Sequence, residues 1–135
     1  MLSRSEISLR SKTHSAKFAI VQREHEQHAS VVSVEGELDL STAPRLKWAL
    51  LDALDTGHSR LVLDLSLTTF MDSTALGVLV GVKRKLDSGQ RLAVVCAGPD
   101  VLKIFEYAGM DEAFAIFSTL DEALAFVQGH AAQTG

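Results

Sequence analysis

Leu63-Asp64-Leu65-Ser66-Leu67-Thr68-Thr69-Phe70-Met71-Asp72-Ser73-Thr74-Ala75-Leu76-Gly77 is the stretch that decides how this chain folds. An apolar run suited to a buried strand gives way to a short polar turn. The turn ends in Asp-Ser-Thr where a helical pattern of apolar residues begins, with Leu76, Val78, Leu79, Val80, Val82 and Leu86. Ser or Asp is favoured at such a point, because the side-chain oxygen accepts one of the N–H groups that a helix start leaves unpaired. On that ground alone Ser73 reads as a helix cap, which is the ordinary use of Asp-Ser at a helix start.

Working upstream, Leu61–Leu65 is this strand, the third. Before it lies a helix that opens at Leu40-Ser41-Thr42-Ala43-Pro44. Ser or Thr caps that helix and Pro sits in its first turn, where a missing N–H costs nothing. Leu46, Ala49, Leu50, Ala53 and Leu54 form its apolar stripe, and Thr56-Gly57 ends it. Val31–Asp39 is β-branched and partly alternating, so it reads as a strand paired antiparallel with Phe18–Val21 across the polar turn Glu24–His28.

Downstream, the helix over 73–87 stops at Ser88-Gly89, and Arg91–Cys96 is a fourth strand. Gly98-Pro99-Asp100 opens a third helix that closes near Ala108-Gly109. Phe114–Phe117 is a short fifth strand, and Ser118 or Thr119 caps a last helix, with Glu122 placed to complete a capping box. Two strands, a helix and then strand–helix alternation imply an α/β fold, a mixed sheet of about five strands with about four helices. The expected organisation is a leader over 1–16, one domain over 17–128 and a tail over 129–135.

The bulk composition narrows the function. The chain has 135 residues, 47% of them hydrophobic, and only 2 Pro, so one packed domain is expected. Its net charge is −4 with the 13 Lys and Arg scattered, which argues against a nucleic-acid partner. The one basic cluster, Lys83-Arg84-Lys85, suits the dipole at a helix end. A single cysteine, Cys96, lies in an apolar strand and reads as a buried, inert thiol. No signal peptide and no apolar run near the ~20 residues of a membrane span is present, so a cytoplasmic location without membrane insertion is expected.

Enzymatic readings find little support. A nucleophilic Ser73 needs a base, yet His14, His25, His28, His58 and His130 all fall in the leader, loops or tail. No Gly-x-Ser-x-Gly elbow surrounds Ser73, and Gly77 and Gly81 lie within an apolar helix rather than in a phosphate-cradling loop. Glu24, His25, Glu26 and His28 read as a solvated turn rather than a metal site. No catalytic residue, metal or cofactor is assigned.

The string of apolar strand, Phe-Met, Asp-Ser-Thr and Leu-Gly resembles the central motif of STAS-domain anti-sigma factor antagonists. Gly36-Glu37-Leu38-Asp39 matches the family's Gly-Glu-Leu-Asp, and Gly109-Met110 after Phe105-Glu106-Tyr107 fits its helix end before the last strand and helix. The likeness spans about residues 17–128. It implies the STAS fold and, for Ser73, a site of regulatory phosphorylation. The unphosphorylated protein would bind an anti-sigma factor that is also an ATP-dependent Ser kinase, freeing a sigma factor. Phosphorylation of Ser73 by that kinase would end the complex, and a metal-dependent Ser/Thr phosphatase would restore it.

On the same resemblance Asp72 orients the hydroxyl or contacts the partner, Thr74 is the second-choice acceptor, and Asp39 contacts the partner or tunes Ser73. Leu76 and Leu79 are core by helical spacing, with one of them available for docking; Leu76 and Ala75 complete the expected partner surface. The family usually has Gly where this chain has Ala75, which is expected to place a methyl group beside the phosphoacceptor. The alternative reading is a non-enzymatic STAS subunit docked on a membrane transporter or in a sensory assembly.

Overall fold

Among the described residues, nine elements follow the order that the patterning demands. The computed structural model describes residues 18–25 and 29–129. The expected leader over 1–16, and the tail apart from Gly129, lie outside the described residues. The strands are β1 (Ala19–His25), β2 (Ala29–Leu38), β3 (Arg60–Met71), β4 (Arg91–Val95) and β5 (Ala115–Phe117). The helices are α1 (Ala43–Asp55), α2 (Ser73–Arg84), α3 (Pro99–Tyr107) and α4 (Leu120–Val127).

The strands lie in the order β1-β2-β3-β4-β5. β1 pairs antiparallel with β2, and the other neighbours are parallel. Parallel neighbours cannot be joined by a tight turn, so each such step carries a helix as its crossover. This is the mixed five-stranded sheet with four helices that the sequence implies.

Alternation along the strands divides the apolar residues between two faces. Val32, Val34, Leu61, Leu63 and Leu65 pack with Leu46 and Leu50 of α1, Leu79 of α2 and Phe105 of α3. Val31, Val62, Ala93 and Val95 face the other way and meet Ala123 and Val127 of α4. Phe105 is fully buried and meets Phe114 edge-on, their ring centroids 5.7 Å apart.

Three local outcomes differ from the sequence reading. β3 does not stop at Leu65 but continues to Met71, because β2 pairs with it through Leu38↔Met71 and Thr68 Oγ1 donates to Val34 O at 3.0 Å. Two register shifts accompany this extension, one beside Gly36, whose φ of 104° lies in the region that only glycine adopts freely. Thr42 precedes α1 but does not cap it with its side chain; its hydroxyl turns back and donates to Glu37 O at 2.8 Å. His58 lies in a loop, as expected, but is buried there. Its Nδ1 lies 3.0 Å from Thr56 Oγ1 and 3.2 Å from Ala53 O, and its Nε2 lies 3.2 Å from Glu24 Oε1. The imidazole thereby ties the end of α1 to the end of β1.

Thr119 caps α4 as expected, accepting from Glu122 N at 3.2 Å; Glu122 Oε1 accepts from the Thr119 hydroxyl at 3.1 Å instead of the backbone N–H that a capping box uses. Cys96 is buried, and that burial raises its thiol above the ordinary range.

Candidate functional site

β2 and β3 end side by side. Leu38 and Met71 are register partners, both with buried side chains, and Asp72 N donates to Leu38 O at 3.0 Å to carry the ladder one step further. Asp39 and Asp72 therefore stand one residue beyond the paired Leu38 and Met71, and Leu40 and Ser73 stand two beyond. Adjacent parallel strands lie about 4.8 Å apart. The two loops thus form one surface at the carboxyl edge of the sheet.

Each loop is built by the same device. Asp72 is extended (φ −105°, ψ 179°), and its Oδ1 accepts from Thr74 N at 2.9 Å and Ala75 N at 3.2 Å, which makes it the N-cap of α2. Asp39 Oδ1 accepts from Ser41 N at 3.0 Å, Ser41 Oγ at 2.7 Å and Thr42 N at 3.2 Å. In both cases an aspartate folds its carboxylate over the backbone that follows and leaves the next residue pointing away. That next residue is Leu40 in one loop and Ser73 in the other.

The capping function thus belongs to Asp72, and Ser73 occupies the first helical position. Ser73 is exposed, and its hydroxyl has no hydrogen-bond partner among the described residues. Thr74, one residue on, is exposed as well. The expected partner contacts through Ala75 and Leu76 are corrected by burial. Ala75 is 0% exposed and Leu76 4%, and both pack in the core with Leu79. The Ala75 methyl faces the sheet, not a partner, because Ala75, Leu79 and Val82 form one helical stripe. Asp39, Asp72, Ser73 and Thr74 are brought together; Ala75 and Leu76 stand behind them.

The sequence reading missed Leu40 and Phe70. Leu40 is 74% exposed in the β2–α1 loop, and Phe70, 47% exposed, precedes Met71 on β3. The one signal for Leu40 was its place between two polar residues in an Asp-Leu-Ser turn.

The edge is acidic. Glu37, Asp39 and Asp72 lie on it, and residues 36–43 and 70–75 contain no Lys or Arg. Arg45, in the first turn of α1, holds its guanidinium 4.8 Å from the centre of the Phe18 ring. Among the described residues no group of three or more His, Cys, Asp or Glu is placed to hold a metal ion.

The Ser41 hydroxyl is the largest influence on the Asp39 carboxyl; burial, next in size, opposes it, and with the backbone N–H groups of Thr42 and Ser41 and the Thr42 hydroxyl the net effect holds the carboxyl below its ordinary value of 3.8. A lowered folded-state value means that the charged turn stabilises the fold above the unfolded value of 3.8 and loses that contribution as pH falls through the folded one. Carbon-detected NMR titration is expected to give a midpoint for Asp39 below 3.8 that moves up toward 3.8 in Ser41→Ala. An unmoved midpoint in that variant would contradict this account of the turn.

Comparison with known proteins agrees with this architecture. The STAS domain family matches residues 20–123. The anti-sigma-F factor antagonist RsfB of Mycobacterium tuberculosis is 34% identical over 100 residues, covering 74% of this chain and 82% of that protein. The anti-sigma-B factor antagonist of Staphylococcus aureus is 30% identical over 82 residues, covering 60% of this chain and 76% of that protein. The crystal structure of an anti-sigma factor antagonist from Mycobacterium paratuberculosis superposes with a TM-score of 0.78 at 34% identity, covering 82% of this chain and 94% of that one. The chain belongs to the STAS-domain family, and these relatives are anti-sigma factor antagonists.

Proposed function

We propose that this protein is an anti-sigma factor antagonist of the cytoplasm, which binds an anti-sigma factor with Ser-kinase activity and so frees a sigma factor. Phosphorylation of Ser73 ends that complex, and a metal-dependent Ser/Thr phosphatase restores it. The chain is a ligand and a substrate, not a catalyst. The observation that carries this reading is the exposed, unbonded Ser73 hydroxyl at the first position of α2, presented by the Asp72 cap. Thr74 is the second choice, since it too is exposed in the first turn. The names of the relatives supply the class of partner.

The physical argument concerns what a phosphate does here. It adds about −1.5 to −2 charges at neutral pH. The N-terminus of a twelve-residue helix accommodates an anion, so α2 and the fold survive modification. The surface, already acidic through Glu37, Asp39 and Asp72, becomes more so and gains bulk. A partner packed closely over Ser73 then faces a charge that it must desolvate without compensation. Among the described residues no helix is long and apolar enough to cross a membrane.

The test is release of a sigma factor. The unmodified chain, added to a preformed complex of the sigma factor and the anti-sigma kinase, is expected to displace free sigma factor on size-exclusion chromatography. A complex left intact at excess antagonist would contradict the proposal.

A further inference from the structure

Among the described residues, Leu40 is the large exposed apolar side chain that stands, like Ser73, just past the paired ends of β2 and β3. Leu38 and Met71 are register partners, Asp72 N bonds to Leu38 O at 3.0 Å, and Leu40 and Ser73 each lie two residues past that pair. Leu40 is 74% exposed. A leucine in a turn commonly folds back onto the surface beneath it. Leu40 instead faces solvent, and the backbone around it is held: the Asp39 carboxylate accepts from Ser41 N, Ser41 Oγ and Thr42 N, while the Thr42 hydroxyl donates to Glu37 O. The loop is fixed on both sides of Leu40.

We infer that Leu40 is the apolar anchor of the interface with the anti-sigma factor and inserts into a nonpolar pocket of that partner beside the place where Ser73 packs. This rests on the proposed function and names a contact of the same site that the Ser73 argument does not contain. Three features support it. A loop whose backbone is hydrogen-bonded in place before binding gives up little backbone freedom on association. A leucine flanked by Asp39 and Ser41 has a polar rim around an apolar centre, the usual layout of an interface core. The same edge carries the modifiable serine, so whatever covers Ser73 also covers Leu40. The pairing gives the switch its leverage, because a phosphate on Ser73 enters the zone that Leu40 must dehydrate to bind.

The experiment measures binding of the full chain to each anti-sigma factor of the kinase type from the source cell, purified with ADP, by isothermal titration calorimetry. Leu40→Ser is expected to weaken binding about 10- to 100-fold, the range set by burial of one leucine side chain. Leu40→Met, which keeps the apolar volume, is expected to bind within about threefold of wild type. Tyr107→Ser removes a side chain 81% exposed at the far end of α3 and is expected to bind as wild type does. Leu40 is exposed, so these variants fold, and unchanged melting curves check it. If wild type binds and Leu40→Ser binds equally well, the anchor is refuted while the proposed function stands. If Leu40→Met loses as much as Leu40→Ser, a pocket for an apolar side chain is refuted as well. If wild type binds none of these proteins, the proposed function fails and the anchor fails with it.

Discussion

Ser73→Ala is expected to displace the sigma factor as well as the unmodified protein does and to continue doing so in the presence of ATP. The Ser73-phosphorylated wild type is expected to bind the anti-sigma factor about a thousandfold more weakly. That ratio corresponds to about 4 kcal/mol, within the cost of an uncompensated charge at a desolvated contact. Ser73→Glu, with one charge and less bulk, is expected to fall between the two, at least about tenfold weaker than wild type. The geometry supports an effect confined to the surface. Ser73 has no hydrogen-bond partner among the described residues, and the α2 cap is made by Asp72. Neither substitution removes a structural bond, so all variants should share the wild-type melting temperature. Equal binding by Ser73→Ala, Ser73→Glu and the phosphorylated form would refute the switch and leave the fold untouched.

Leu38→Ala is expected to destabilise the domain by about 2–5 kcal/mol in urea unfolding, the cost of emptying a buried leucine site that cannot fully collapse. Leu40→Ala, the same change two residues on, is expected to cost less than about 0.5 kcal/mol. Leu38 is 0% exposed and Leu40 is 74% exposed. The pair separates holding the site from presenting it. Leu38 and Met71 form the floor under both loops, so Leu38→Ala should loosen the Asp39 and Asp72 turns together. Comparable losses at the two positions would show that Leu40 packs against the domain and does not stand free.

The order and type of the elements were legible because each has a pattern fixed by burial. β2 to β4 carry apolar runs, α1 and α2 carry apolar stripes at helical spacing, and Gly57 and Gly109 end helices with the positive φ that their positions require. The end of β3 was not legible. Beyond Asp64 it pairs only with β2, since β4 stops at Val95, and Leu67 and Phe70 face solvent. With one edge and one face open, the residues lose the apolar signature of a buried strand and resemble a turn.

Within the site, Asp72 and Ser73 were both eligible caps by chemistry. The choice is made by the bond from Asp72 N to Leu38 O, a partner 34 residues away that no local pattern reveals. The burial of Ala75 was within reach, because Ala75, Leu79 and Val82 share one stripe, but its place beside Asp-Ser-Thr suggested a surface role. Leu40 gave almost no signal, since single exposed leucines are common. Its meaning comes from register alone, which sets it level with Ser73.

The central claim is that Ser73 is the acceptor of a regulatory phosphate, and intact-mass spectrometry with site mapping tests it most directly. The full chain is incubated with ATP and each anti-sigma factor of the kinase type from its own cell. A single added phosphate mapped to Ser73, absent in Ser73→Ala, is the predicted result. No modification by any of these kinases, or a phosphate that persists elsewhere in Ser73→Ala, would contradict it.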